Sequence, residues 1–205
     1  MSAYTSSKQF ELGSTAFRQW KADHSHCRFI HGYQLKTELT FGCNTLDDKN
    51  WCVDFGGLDT LKQTLRNHFD HTVVIAGDDP ELATFQDLDS KGIIQLRIMG
   101  HGVGVEKFAE FVFKTANTFV EEASEGRCFV VKAKVTEHED NYASYTKEEA
   151  LVVAEVTATD ESITTPAPEV LQQPEPGPKP KQGATVGQKP TQGKGDWFAG
   201  TTWGN

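Results

Sequence analysis

The stretch Phe29-Ile30-His31-Gly32-Tyr33-Gln34-Leu35-Lys36-Thr37-Glu38-Leu39-Thr40-Phe41 sets apolar or β-branched residues at 35, 37, 39 and 41 and polar ones between them. A period of two marks a strand with one buried and one wet face. A second strand-like run at residues 14–20 precedes it, so the two are predicted to pair as a long hairpin. Downstream the period changes. Leu58, Leu61, Leu65 and Phe69 make the stripe of an amphipathic helix that follows the flexible Gly56-Gly57. Residues 93–99 read as a strand. Val105, Phe108, Ala109, Val112, Ala116, Phe119 and Val120 mark a second, longer helix entered through Gly102 and Gly104. Strands at 129–135 and 151–156 complete a β-β-α-β-α-β-β order, which predicts an α+β domain with helices covering one sheet face.

The chain has 205 residues, room for one ordinary domain and an appendage. Seven of its eight prolines fall between Pro166 and Pro190, among Gln, Gly, Lys and Thr. Such a segment buries too little apolar area to offset its ordering entropy. Residues 1–157 are therefore expected to form the domain, 158–195 a disordered linker, and 196–205 an aromatic motif carrying Trp197, Phe198 and Trp203. Aromatic anchors dominate interface energetics, so this end is read either as a docking motif for a protein partner or the enzyme's own surface, or as an incidental sticky end. A formal charge of -9 and the lack of any basic run argue against nucleic acid. No apolar stretch is long enough to cross a bilayer, and residues 1–9 have no signal-peptide character, so a cytoplasmic protein is expected.

Chemistry concentrates in two places. His24-Ser25-His26-Cys27-Arg28-Phe29-Ile30-His31 packs three imidazoles and a thiol into eight positions. A thiolate needs a neighbouring cation, base or metal to be populated at neutral pH, and imidazoles can serve each purpose. His68-Phe69-Asp70-His71 closes the first helix, where a carboxylate beside an imidazole can fix its tautomer for proton transfer. Cys43, Cys52 and Cys128 read as small core or boundary residues.

These residues occur in a recognisable order. Cys27-Arg28-Phe29-Ile30-His31-Gly32-Tyr33, then Val53-Asp54-Phe55 with Leu61-Lys62, then Phe69-Asp70-His71, resemble the motifs of the 6-pyruvoyl-tetrahydropterin and 6-carboxytetrahydropterin synthase family. Glu106-Lys107-Phe108-Ala109, and Glu137 through Tyr142-Ala143-Ser144-Tyr145, continue the resemblance, which spans roughly residues 10–145. It implies the T-fold: an antiparallel sheet with two helices on one face, protomers joining sheets into a barrel as trimers or hexamers, and active sites at subunit interfaces.

The resemblance also implies roles. Cys27 would be the thiolate base on a dihydropterin side chain, Asp70 and His71 the second proton-transfer pair. Glu137 would anchor the pterin ring, since a carboxylate accepts two hydrogen bonds from an aminopyrimidine edge. Glu106 would line the same pocket. The family holds zinc through three histidines, one at the end of the first strand and two in C-x-x-x-H-G-H. Here His31 stands in place, Tyr33 replaces another, and counting on from Phe17 puts Lys21 at the remaining position. Three readings follow: His24 and His26 rebuild the cage with His31, or Lys21 and Tyr33 polarise the substrate without metal, or catalysis is lost and the pocket kept. The expected activity is that of a 6-carboxytetrahydropterin synthase-like lyase on 7,8-dihydroneopterin triphosphate, in the 7-deazaguanine route to queuosine. A pyruvoyl synthase and a non-catalytic pterin-binding protein are the alternatives.

Overall fold

Two long strands organise the molecule. In the computed structural model, which describes residues 2–100 and 102–146, β1 (Tyr4–Phe17) and β2 (His31–Cys43) pair antiparallel from Tyr4↔Cys43 to Phe17↔His31. This is the hairpin that the alternation predicts. A bulge between Glu11 and Gly13 shifts the register of β1, so that Phe10 and Leu12 on one side of it and Thr15 and Phe17 on the other all turn inward. The strand ends at Phe17, and residues 18–20 leave the sheet, contrary to the expected extent of 14–20.

α1 (Asp59–Phe69) leads into β3 (Thr72–Ala76), and α2 (Leu82–Ser90) connects β3 to β4 (Leu96–Met99). α3 (Val105–Ala123) precedes β5 (Cys128–His138), which turns back into β6 (Asn141–Thr146). The strand order is β4-β3-β1-β2-β5-β6. The α+β class is as expected, but the sheet is mixed: β3 runs parallel to both β1 and β4, whereas the other pairs are antiparallel. Helical crossovers α1 and α2 feed these parallel neighbours, as a parallel pair requires. The helices among the described residues number three, not two. The expected strand at 151–156, the linker at 158–195 and the aromatic motif at 196–205 lie outside the described residues.

The core lies between α1, α3 and one face of the sheet. Leu61, Leu65 and Phe69 of α1 and Phe108, Val112, Ala116 and Val120 of α3 pack with Leu35, Leu39, Phe41, Val130, Ala133 and Val135. Burying each of these larger side chains contributes about 1.5–3 kcal/mol. The opposite face of the hairpin is polar, with Ser7 bonded to Thr40 (3.0 Å) and Gln9 to Glu38 (2.9 Å). Cys43, Cys52 and Cys128 are buried free thiols at the far end of the hairpin, and burial pushes each of them up in pKa. They are core residues, as the sequence suggests.

Candidate active site

The end of α1 builds the first corner. Its last carbonyls are taken by hydroxyls rather than by a glycine cap: Thr15 and Thr72 each donate to Phe69 O at 2.8 Å, and Thr72 also reaches His68 O at 3.0 Å. Asp70 then leaves the helix and presses against β1 at the bulge, where Ser14 N donates to its Oδ1 (3.2 Å). Gly13 is required there. A Cβ at this position would lie 2.2 Å from Asp70 Oδ1, and its φ of +108° suits only glycine.

Arg66, one helical turn before, bonds the other oxygen of Asp70. That hydrogen bond holds the Asp70 carboxyl below its ordinary pKa, helped against desolvation by Ser14 N–H and by the charges of Arg66 and His71. His71 adopts a left-handed backbone (φ 59°), fixed by its N–H donating to Ser14 O at 2.7 Å. A non-glycine residue in this region costs of order 1 kcal/mol. The cost turns the imidazole outward, 82% exposed, with Nδ1 2.8 Å from Asp70 Oδ1. An ionised carboxylate only accepts, so Nδ1 carries a proton toward Asp70 and Nε2 is the ring nitrogen that faces outward.

His68, on the same turn, is different. It is largely buried, stacked on Phe111 (4.1 Å between centroids), and its Nε2 has no partner among the described residues. Burial first, then Arg97, lowers its pKa to about 4, so it is a neutral packing residue.

The second corner gathers around Tyr33. Cys27 sits half-buried in a 3-10 turn whose N-cap Ser25 accepts from Cys27 N, and Cys27 O accepts from Gln19 N at 2.8 Å. Gln19 in turn reaches the entry of α3: a Cβ on Gly104 would lie 2.5 Å from Gln19 Nε2 and 3.5 Å from Glu106 Oε2. Gln19 thus bonds the Cys27 turn and lies close against Gly104 at the start of the helix that carries Glu106. Glu137, near the end of β5, accepts from Asn141 Nδ2 (3.2 Å), and its neighbour His138 lies 5.9 Å from the Tyr33 ring. Burial raises the Tyr33 phenol above its ordinary pKa, and the charges of Glu137 and Cys27 raise it further. The rings of His31 and His138 thus pack against Tyr33, and the charges of Glu137 and Cys27 act on its phenol. Among the described residues the side-chain partners of Asp70 are Arg66, Ser14 N–H and His71, and that of His71 is Asp70.

The metal positions need correction. Lys21 is not beside His31, because β1 has already ended and Lys21 bonds Asp78 at 2.6 Å while lying over the Trp20 ring. The β1 residue facing His31 is Phe17, with ring centroids 4.6 Å apart; Tyr33 lies 5.6 Å from His31 and 6.1 Å from Phe17. His24 and His26 sit exposed on the preceding loop, and no group of three His, Cys, Asp or Glu among the described residues is arranged to hold a metal. One imidazole with a benzyl and a phenol ring does not fit zinc, which takes three or four lone-pair donors.

Four supporting residues carry no sequence motif. Arg66 was accessible through its i, i+4 spacing to Asp70, whereas Gly13 and Phe17 acquire their roles only from strand register and Gln19 from the loop beyond β1. Beyond the end of β1, Arg18 makes a two-pronged ion pair with the fully buried Asp79. Burial pushes Asp79 up, but the Arg18 hydrogen bond, the Glu81 N–H and the Arg18 charge together bring it below its ordinary value. This lock fixes the loop that presents Gln19.

Comparisons with known proteins agree with the fold. A model of the 6-pyruvoyl tetrahydropterin synthase family matches residues 5–148. The 6-carboxy-5,6,7,8-tetrahydropterin synthase of Rickettsia felis is 32% identical over 57 residues, 27% of this chain and 41% of that protein. The chain thus spans about two fifths of that relative's length. A protein of the same name from Aquifex aeolicus is 27% identical over 124 residues, 60% of this chain and 76% of its own. The structure of Plasmodium falciparum 6-pyruvoyl tetrahydropterin synthase superposes with a TM-score of 0.51 at 12% identity, over 72% of this chain and 99% of that one. At that identity the likeness establishes a shared fold.

Proposed function

Because the chain belongs to the 6-pyruvoyl tetrahydropterin synthase family, we propose that it is a cytoplasmic lyase acting on the side chain of 7,8-dihydroneopterin triphosphate, of the 6-carboxytetrahydropterin synthase kind that feeds 7-deazaguanine and queuosine formation. The observation that carries this reading is the Asp70–His71 pair, held by Arg66 and Ser14 with Nε2 of His71 open to a substrate. In this reading His71 exchanges a proton with a side-chain hydroxyl while Asp70 stabilises the imidazolium. Cys27 removes a proton from carbon, Glu137 accepts the N–H groups of the pterin edge, and Glu106 lines the pocket.

The two corners share no hydrogen bond or ion pair among the described residues, and the proposal includes assembly. Protomers associate through sheet edges, as trimers or hexamers, and bring the His71 of one subunit toward the Cys27 of another. Edge strand β4, with the exposed Ile98, and Tyr142 on edge strand β6 support that arrangement. Trp197, Phe198 and Trp203 are proposed as a docking motif for a protein partner.

Incubation with 7,8-dihydroneopterin triphosphate tests the activity. Release of triphosphate and acetaldehyde is expected, and triphosphate alone would identify a pyruvoyl synthase. Tight pterin binding with neither product, even with added zinc beside an active control, would identify a binding protein, the reading that the rings at Phe17 and Tyr33 favour.

A further inference from the structure

The place where the family resemblance implies a three-histidine cage is filled by aromatic carbon. β1 and β2 run in fixed register, so the side chain able to share an ion with His31 is the one opposite it, and that is Phe17. Its ring is 1% exposed and also packs edge-on against Phe108 at 5.0 Å. A benzyl group has no lone pair to give, and burying it stabilises the fold without any ion. Tyr33, two residues along β2 on the same face, meets His31 edge to face, and its phenol makes no hydrogen bond within the described residues. His31 keeps half of a ligand's usual arrangement: Nδ1–H donates to Phe29 O at 2.8 Å, which leaves the Nε2 lone pair. One imidazole alone does not hold zinc against water.

We infer that this chain binds its ligand without a metal ion, Phe17 and Tyr33 having taken two of three ligand positions and leaving His31 Nε2 and the Tyr33 phenol as the hydrogen-bonding groups there. The inference rests on the pterin-synthase reading for the cage it compares with, but its test needs no pterin.

The full chain is produced in zinc-supplemented culture and dialysed, its zinc is counted by elemental analysis, and its affinity is measured by competition with a zinc-binding dye. The wild type is expected to carry far less than one zinc per subunit. The variant Phe17→His/Tyr33→His, completing three imidazoles with His31, is expected to take up one zinc per subunit and to gain affinity by at least about 100-fold, and His31→Ala in that background abolishes the gain. Tyr33→His alone keeps the Phe17 packing and is expected to gain about tenfold, which preserves the test where the double variant does not fold. A wild type holding close to one zinc that His31→Ala removes, or a folded double variant that gains no zinc, would overturn the inference. Failure of turnover with pterin leaves these outcomes unchanged, so the two readings fail separately.

Discussion

The corner at Asp70–His71 presses on β1 and the corner at His31 opens β2, yet the first surrounds its imidazole with polar partners and the second surrounds its own with rings. Asp70 is gripped by Arg66, by Ser14 N–H and by His71, and space for it is cleared by Gly13. His31 has a fixed tautomer but faces Phe17 and Tyr33. Proton transfer needs an oriented imidazole with one polar partner, whereas a metal needs three donors at once. The first survives substitutions around it; the second is lost with the second ligand. The two demands are physically separable.

The largest effect is expected at the intact corner. Asp70→Asn releases the His71 tautomer and should lower kcat for triphosphate release about 1000-fold with the fold retained. A loss below tenfold would mean that Asp70 is a helix-end brace only. Gly13→Ala should come next, because its Cβ strikes Asp70 and the backbone resists the new side chain. Destabilisation of about 3 kcal/mol in urea unfolding is expected, and a neutral result would show that the bulge can relax away from Asp70.

Acid should also damage this corner through His68. Its pKa of about 4 in the folded chain lies below the ordinary 6.5, so the unfolded chain binds the extra proton between those values. Stability is then full above pH 6.5 and falls by up to about 3 kcal/mol as pH drops toward 4. His68→Leu, which keeps the packing on Phe111, should flatten that part of the pH profile; an unchanged slope would assign the acid sensitivity to carboxylates. The smallest effect belongs to the altered corner. Tyr33→Phe removes one hydroxyl and should weaken dihydroneopterin binding about tenfold in calorimetry, and unchanged affinity would leave His31 as the only polar contact there.

The hairpin and the helices α1 and α3 were legible because one face of each is buried and the period shows. The first half of β1 was not, since residues 6–9 are all polar and Ser7 and Gln9 are held by cross-strand polar pairs instead of core contacts. α2 buries no residue and so has no stripe to read, and β3 is only five residues long. In the site, motif order singled out Cys27, Asp70, His71 and Glu137; of these, Asp70 and His71 meet in the structure, and the charges of Cys27 and Glu137 act on Tyr33. Counting along the chain placed a ligand position at Lys21, because it could not know that β1 stops at Phe17. Register across two strands decided that position, and register is invisible to spacing within one.

Turnover of 7,8-dihydroneopterin triphosphate by zinc-depleted protein in the presence of a strong chelator joins the two corners in one assay. Triphosphate release that continues undiminished is the predicted result. Release that appears only when zinc is restored, or no release under either condition, would contradict an intact proton-transfer site working beside a cage without its metal.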